Sequence, residues 1–149
     1  MQQTTNTILM IRPINFRKNE QTAVNNYFQV DIDLQNTEIN RQAQEEFDAY
    51  VFKLKSYGVQ VVVISDTETS DTPDSIFPNN WISFHSEGVV GLYPMFAENR
   101  RLERRDDILN ELEKSGFLIE NLVDYTSAED EGLYLEGTGS IILDRVNKK

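Results

Sequence analysis

The apolar positions of this chain fall into short runs of two periods, one matching strands and one matching helices. Thr7 to Ile11 is a compact apolar run closed by Arg12-Pro13, and because proline donates no ladder hydrogen bond it predicts a strand ending there. From Asn40 to Tyr57, apolar or aromatic residues recur at 43, 47, 50, 51, 54 and 57, the three-and-four spacing of one helix face. Gly58 stands where a left-handed helix stop belongs, and the β-branched run Val59 to Ile64 after it predicts a strand buried on both faces. Together these form a β-α-β unit.

Thr67 to Pro78, rich in Thr, Ser, Asp and Pro, predicts a loop. Trp81 to His85 and Val89 to Tyr93 flank Ser86-Glu87-Gly88 and predict a hairpin. A helix is expected over Arg101 to Ser115, with Leu102, Ile108, Leu109 and Leu112 on its apolar face and Gly116 as its stop. Phe117 to Val123 resumes strand character. Beyond the acidic loop Ser127 to Gly132, Leu133 to Glu136 and Ser140 to Leu143 predict two more strands around Gly137-Thr138-Gly139, and Val146 to Lys149 reads as a turn. Helices alternating with strands argue for an α/β fold, while hairpins between them argue against a purely parallel sheet, so small mixed-sheet modules of α+β type are expected. The 149 residues fit one domain.

Composition narrows the function. A formal charge of -11 repels phosphate backbones and anionic bilayers, so nucleic acid and membrane are not expected as partners. The first ten residues, MQQTTNTILM, lack the basic and apolar regions of a signal peptide, and no long apolar span occurs, which points to a cytoplasmic protein. With no cysteine and one histidine, His85, there are no disulfides, no thiolate nucleophile and no two-histidine metal motif, and neither cofactor nor metal is expected.

Three segments carry chemistry. In Asp74-Ser75-Ile76-Phe77-Pro78-Asn79-Asn80-Trp81, a carboxylate, two amides and two large rings meet at a loop-to-strand junction. A carboxylate with amide oxygens suits a planar guanidinium, which offers five N–H donors. The same residues also fit an ordinary turn, with Asp74 and Ser75 capping it and Phe77 and Trp81 in the core. In Arg100 to Asp107, four arginines open a helix against its dipole, where they meet either an anionic ligand group or the nearby Glu103, Asp106 and Asp107. In Leu135-Glu136-Gly137-Thr138-Gly139-Ser140, the glycines permit a ligand to lie close beside Glu136, or simply form a turn. His85, beside the hairpin turn, reads as exposed or packed.

In order and spacing, RPINF (Arg12 to Phe16), TAVNNYFQ (Thr22 to Gln29), DSIFPNNW (Asp74 to Trp81), LYPM (Leu92 to Met95), NRRLERR (Asn99 to Arg105) and LEGTGSIILDR (Leu135 to Arg145) resemble the guanidino-group-modifying, or pentein, superfamily. The similarity is strongest to its arginine deiminase-related, citrulline-utilisation hydrolase and amidinotransferase branch and more distant to dimethylarginine dimethylaminohydrolases. It implies a five-bladed β/α propeller, of which this chain would hold two to three ββαβ modules as a single incomplete domain. It also implies attack of a Cys thiolate on the carbon of a guanidino or ureido substrate, with a His as general acid and base. By motif, Glu136 matches the acidic member of the catalytic set. Asp74, with Asn79 and Asn80 beside it, matches a guanidinium ligand, Phe77 a pocket wall, and Arg100 or Arg101 the receiver of the substrate carboxylate. Asn80 stands where the hydrolases often carry a second aspartate, and His85 does not match the catalytic motif. The resemblance places the family's Cys and His beyond Lys149, so the chain is expected to be inactive alone. A complementing C-terminal chain or a homo-oligomer is the expected partner, pairing with the open edge of the Ser140 to Leu143 strand. A non-catalytic binding module is the alternative.

Overall fold

The computed structural model describes residues 3–24, 26–27, 29–30, 33–147 and 149. Asn25 and Phe28 of TAVNNYFQ, Lys148 of the C-terminal turn, and Met1 and Gln2 of the opening segment lie outside them.

Strand β1 (Thr7–Arg12) and strand β2 (Gln60–Ser65) pair in parallel, joined by helix α1 (Asn36–Ser56), in a two-stranded sheet with Ile11 opposite Ile64. Helix α1 begins four residues before the periodic stretch, because Asn36 to Ile39 continue it with Glu38 in the first turn, a favourable place for an acid. Phe47 and Val51 are its buried residues, whereas Tyr50 and Tyr57 of the predicted face are exposed. Gly58 and Gly116 end their helices with φ of 82° and 91°, as expected. The expectation that β2 is buried on both faces fails: Val62 and Ile64 join the core, but Val63 is 37% exposed. A single helix covers the other face of a two-stranded sheet only in part.

The second sheet contains β3 (Ile82–Phe84), β4 (Val89–Leu92) and β5 (Asn121–Asp124). Strands β3 and β4 form the predicted hairpin, and β5 lies parallel to β4 after a helical crossover, giving a β-β-α-β unit. The one helix predicted over Arg101 to Ser115 is instead two, α2 (Glu98–Arg101) and α3 (Asp106–Lys114). The cause is electrostatic: arginines disfavour a helix N-terminus, so α3 starts at Asp106 and Asp107, where acids complement the dipole. Leu102, at the break, is half exposed. Ile108 and Leu112 remain buried with Ile11, Ile64, Trp81, Ile82, Val90 and Met95 in one core between the sheets and α3.

Neither strand expected around Gly137-Thr138-Gly139 forms. Gly137 takes a φ of 44° and a single helical turn, α4 (Gly137–Ser140), replaces them. Leu135 N donates to the Pro94 carbonyl without joining a ladder, and Ile142 is 95% exposed. The acidic loop is a 3-10 helix over Thr126–Glu131. The architecture is thus mixed α/β with two small sheets.

The split helix yields a direct comparison by urea unfolding. Ile108→Ala should cost about 2–5 kcal/mol by opening a cavity, while Leu102→Ala should change stability by no more than about 0.5 kcal/mol, the reverse of equal costs on a continuous apolar face.

Candidate functional site

Five of the seven residues singled out in the sequence line one cleft of about 1080 Å³: Asp74, Phe77, Asn80, Arg100 and Glu136. Residues of the long β1–α1 connection, among them Arg17, Thr22 and Gln29, form one wall, and Phe96 and Tyr134 another. Asp74 reaches the cleft because Thr72 to Ser75 are buried despite their loop composition. Thr72 and Asp74 are satisfied from within: the Thr72 hydroxyl donates to Asp66 at 2.8 Å, and Asn19 Nδ2 and the Thr22 hydroxyl donate to Asp74 Oδ2 at 2.7 and 3.1 Å, whereas the buried Ser75 hydroxyl has no side-chain or backbone partner among the described residues. Among the described residues, no cluster of three or more metal-ligating side chains occurs and no helix is long and apolar enough to cross a membrane.

Glu136 comes to the same cleft from the far end of the chain. Its Oε1 accepts the Phe96 N–H at 3.0 Å, while Gly137 packs so tightly on the Asn79 carbonyl that a Cβ would overlap it. Asn79 does not line this cleft and is tied instead to the Gly137–Ser140 turn. Its Nδ2 donates to the Thr138 hydroxyl at 2.9 Å and that hydroxyl donates to the Asn79 carbonyl at 3.1 Å, fastening the Asp74 loop to α4. The close approach that the glycines permit is used by the protein's own backbone. Asn79 lines a second, larger trough of about 1230 Å³ between β1–β2 and β3, walled by Leu9, Val62, Ile82 and Phe84, which is mostly apolar and contains none of the other six.

The arginines meet carboxylates. Arg100, 5% exposed, donates from Nε and Nη2 to Glu103 at 3.0 and 3.1 Å and from Nη2 to the Phe77 carbonyl at 3.1 Å. Arg101, outside the lining of the cleft, donates to the Met95 and Phe96 carbonyls, lies 5.9 Å from the Tyr134 ring centroid and is 3.4 Å from Glu129. Arg104 pairs with Glu129, and Arg105 with both Asp107 and Asp66. Sequence pattern supplied Glu103 and Asp107 as partners; Glu129 and Asp66 arrive only through the fold. Burial works most strongly against the charge of Arg100, yet Glu103, Asp74 and Glu136 together raise its pKa above the usual range.

The aromatic wall has little signal in the sequence. Phe96 and Tyr134 meet edge to face with centroids 5.4 Å apart, both partly exposed to the cleft. Only an aromatic residue beside each motif (LYPM and LEGTG) marked them. The buried networks through Asn19 and Thr22 were equally invisible. His85, half-buried, joins Ser83 and Tyr93 through hydrogen bonds of 2.7 Å to the Ser83 hydroxyl, and burial, aided by Arg145, lowers its pKa.

Glu103 makes a pH prediction. Burial pushes its carboxyl up to about 7, with Arg100 opposing and Asp74 and Asp66 adding to the rise. Because the folded pKa lies above the unfolded one, the fold holds the proton more tightly, so this group's stabilisation is full below about pH 4.5 and is lost as pH rises through 7. Melting temperature measured from pH 5 to 7 should lose this downward contribution in Glu103→Gln. An unchanged slope would show that Glu103 does not titrate there.

No curated protein and no solved structure matches the chain. The family model for eukaryotic N,N dimethylarginine dimethylhydrolase matches residues 12–149, a span that starts at the last residue of β1 and includes every later element and every cleft residue above. The chain belongs to that guanidino-modifying family.

Proposed function

We propose that the cleft holds the guanidino or ureido group of an arginine-class compound, methylated arginine among them, and that the chain is the substrate-holding part of a hydrolase or amidinotransferase of this kind. The observation that carries this reading is the convergence of Asp74, Glu136, Asn80 and Phe77 on one cleft from segments 56 to 62 residues apart in sequence. Two carboxylates beside amide and aromatic groups suit a flat cation, which needs acceptors in its plane and tolerates rings against its faces. In this reading Asp74 binds the guanidinium, Phe77 walls it, Asn79 and Asn80 shape the loop around it, and Glu136 is the catalytic acid. One of two arginines receives a substrate carboxylate in this reading: Arg100, which lines the cleft but is paired with Glu103, or Arg101, which lies outside the lining beside Phe96 and Tyr134 with its side chain 28% exposed.

The chemistry expected of the family is attack of a thiolate on the guanidinium carbon, displacement of the amine and hydrolysis of the resulting thiouronium-type intermediate. With no cysteine, this chain supplies no thiolate and does not carry out that attack by itself. The nucleophile and its His come in this reading from a complementing chain, and the β-β-α-β unit of β3, β4, α3 and β5 is one blade of a β/α propeller in a cytoplasmic protein. The same lack of cysteine favours a second reading, a binding module or homo-oligomeric assembly that captures guanidino compounds without turnover.

Calorimetric titration of the chain with L-arginine and methylated arginines tests the shared core of both readings. Asp74→Ala should cost about 2 kcal/mol of binding, the scale of a hydrogen bond to a charged group, or roughly thirtyfold in Kd. No binding by the wild-type chain, or equal binding by the variant, would overturn it. Citrulline, urea or ammonia release by the isolated chain would contradict the division of labour.

A further inference from the structure

Asp74 is held by a network that none of the sequence motifs announced. Asn19 is fully buried. Its Nδ2 donates to Asp74 Oδ2 at 2.7 Å and to Asn99 Oδ1 at 3.2 Å, and its Oδ1 accepts from Asn99 Nδ2 at 2.9 Å, so the two amides exchange a reciprocal pair of hydrogen bonds. Thr22 adds a second donor. Its hydroxyl has one proton, and Gln29 Nε2 donates into its oxygen at 2.7 Å, which turns that proton away from Gln29 and toward Asp74 Oδ2 at 3.1 Å and the Asn19 carbonyl at 3.3 Å. Gln29 is in turn fixed by accepting the Asn19 N–H at 3.0 Å.

We infer that Asn19 and Thr22 are positioning residues for Asp74, aiming its carboxylate at a bound guanidinium by donating two hydrogen bonds to one of its oxygens. Such donation fixes the side chain before ligand arrives, which lowers the ordering cost of binding. Because Thr22 and Gln29 themselves line the cleft, the connection that forms its wall is also the device that orients its carboxylate. A wall that moved away would take a donor from Asp74. This rests on the reading of Asp74 as a guanidinium ligand.

The test is calorimetric titration of L-arginine into the full chain bearing Thr22→Val, Thr22→Ser or Thr22→Ala, with melting temperature measured on each. Thr22→Val and Thr22→Ala, which remove the donor with and without refilling its volume, should each weaken binding roughly tenfold, and Thr22→Ser, which keeps the hydroxyl, should restore it to within about twofold of wild type. Wild-type affinity in either folded donor-less variant, or equal weakening in Thr22→Ser, overturns the positioning role and leaves the proposed function standing. A wild-type chain that does not bind arginine overturns both.

Discussion

Arg100 is a cation almost wholly removed from water, and much of the surrounding structure follows from satisfying it. A buried guanidinium without acceptors costs several kcal/mol, and here the acceptors are Glu103, one turn away, and the Phe77 carbonyl. The first fixes the short helix α2; the second fixes the loop that carries Asp74, Phe77 and Asn80. The residue before it, Asn99, pairs with Asn19 and thereby reaches Asp74 by a different route. Two adjacent residues of a four-residue helix therefore organise both the carboxylate and the ring of the cleft.

The same demand for acceptors explains why the arginine-rich stretch does not run on as one helix. Guanidinium groups at a helix start oppose the macrodipole; with Arg100 and Arg101 at the end of α2 and Arg104 and Arg105 in the break before α3, they spread outward to Glu103, Glu129, Asp107 and Asp66. Glu129 is the most economical of these partners, accepting from Arg104 at 2.6 Å and from the Met95 N–H at 2.7 Å. Its acidic 3-10 segment, polar and outwardly nondescript, thus anchors the strip of chain from Tyr93 to Phe96 against which Glu136 rests.

Local periodicity made the β1–α1–β2 unit, the hairpin and α3 legible, because each buries one regular face and ends at a turn or a left-handed glycine. It failed where tertiary contact overrides local preference. Leu133 to Leu143 has strand-like composition, but without a ladder partner Gly137 and Gly139 allow the chain to press against Asn79 and Asn80 instead. The Asp74 loop is polar enough to read as exposed, yet Asn19 and Thr22 take up Asp74, Arg100 takes up the Phe77 carbonyl, and the loop is buried. For the site, the motif residues Asp74, Phe77, Asn80, Arg100 and Glu136 were legible and do meet. Phe96, Tyr134, Asn19 and Thr22 were not, since nothing in a single sequence records which distant side chain supplies a hydrogen bond or a ring face.

Those distances have a kinetic side. The contacts that build the cleft span 55 residues from Asn19 to Asp74, 59 from Asn79 to Thr138 and 80 from Asn19 to Asn99, whereas the hairpin of β3 and β4 closes across a short turn. Long loops must be closed before such contacts reward the chain. The cleft therefore shares with the parallel pairing of β1 and β2, whose partner residues lie 53 positions apart, a loop-closure cost that the hairpin escapes, so recognition of a ligand and the joining of distant segments of the chain draw on the same long-range contacts.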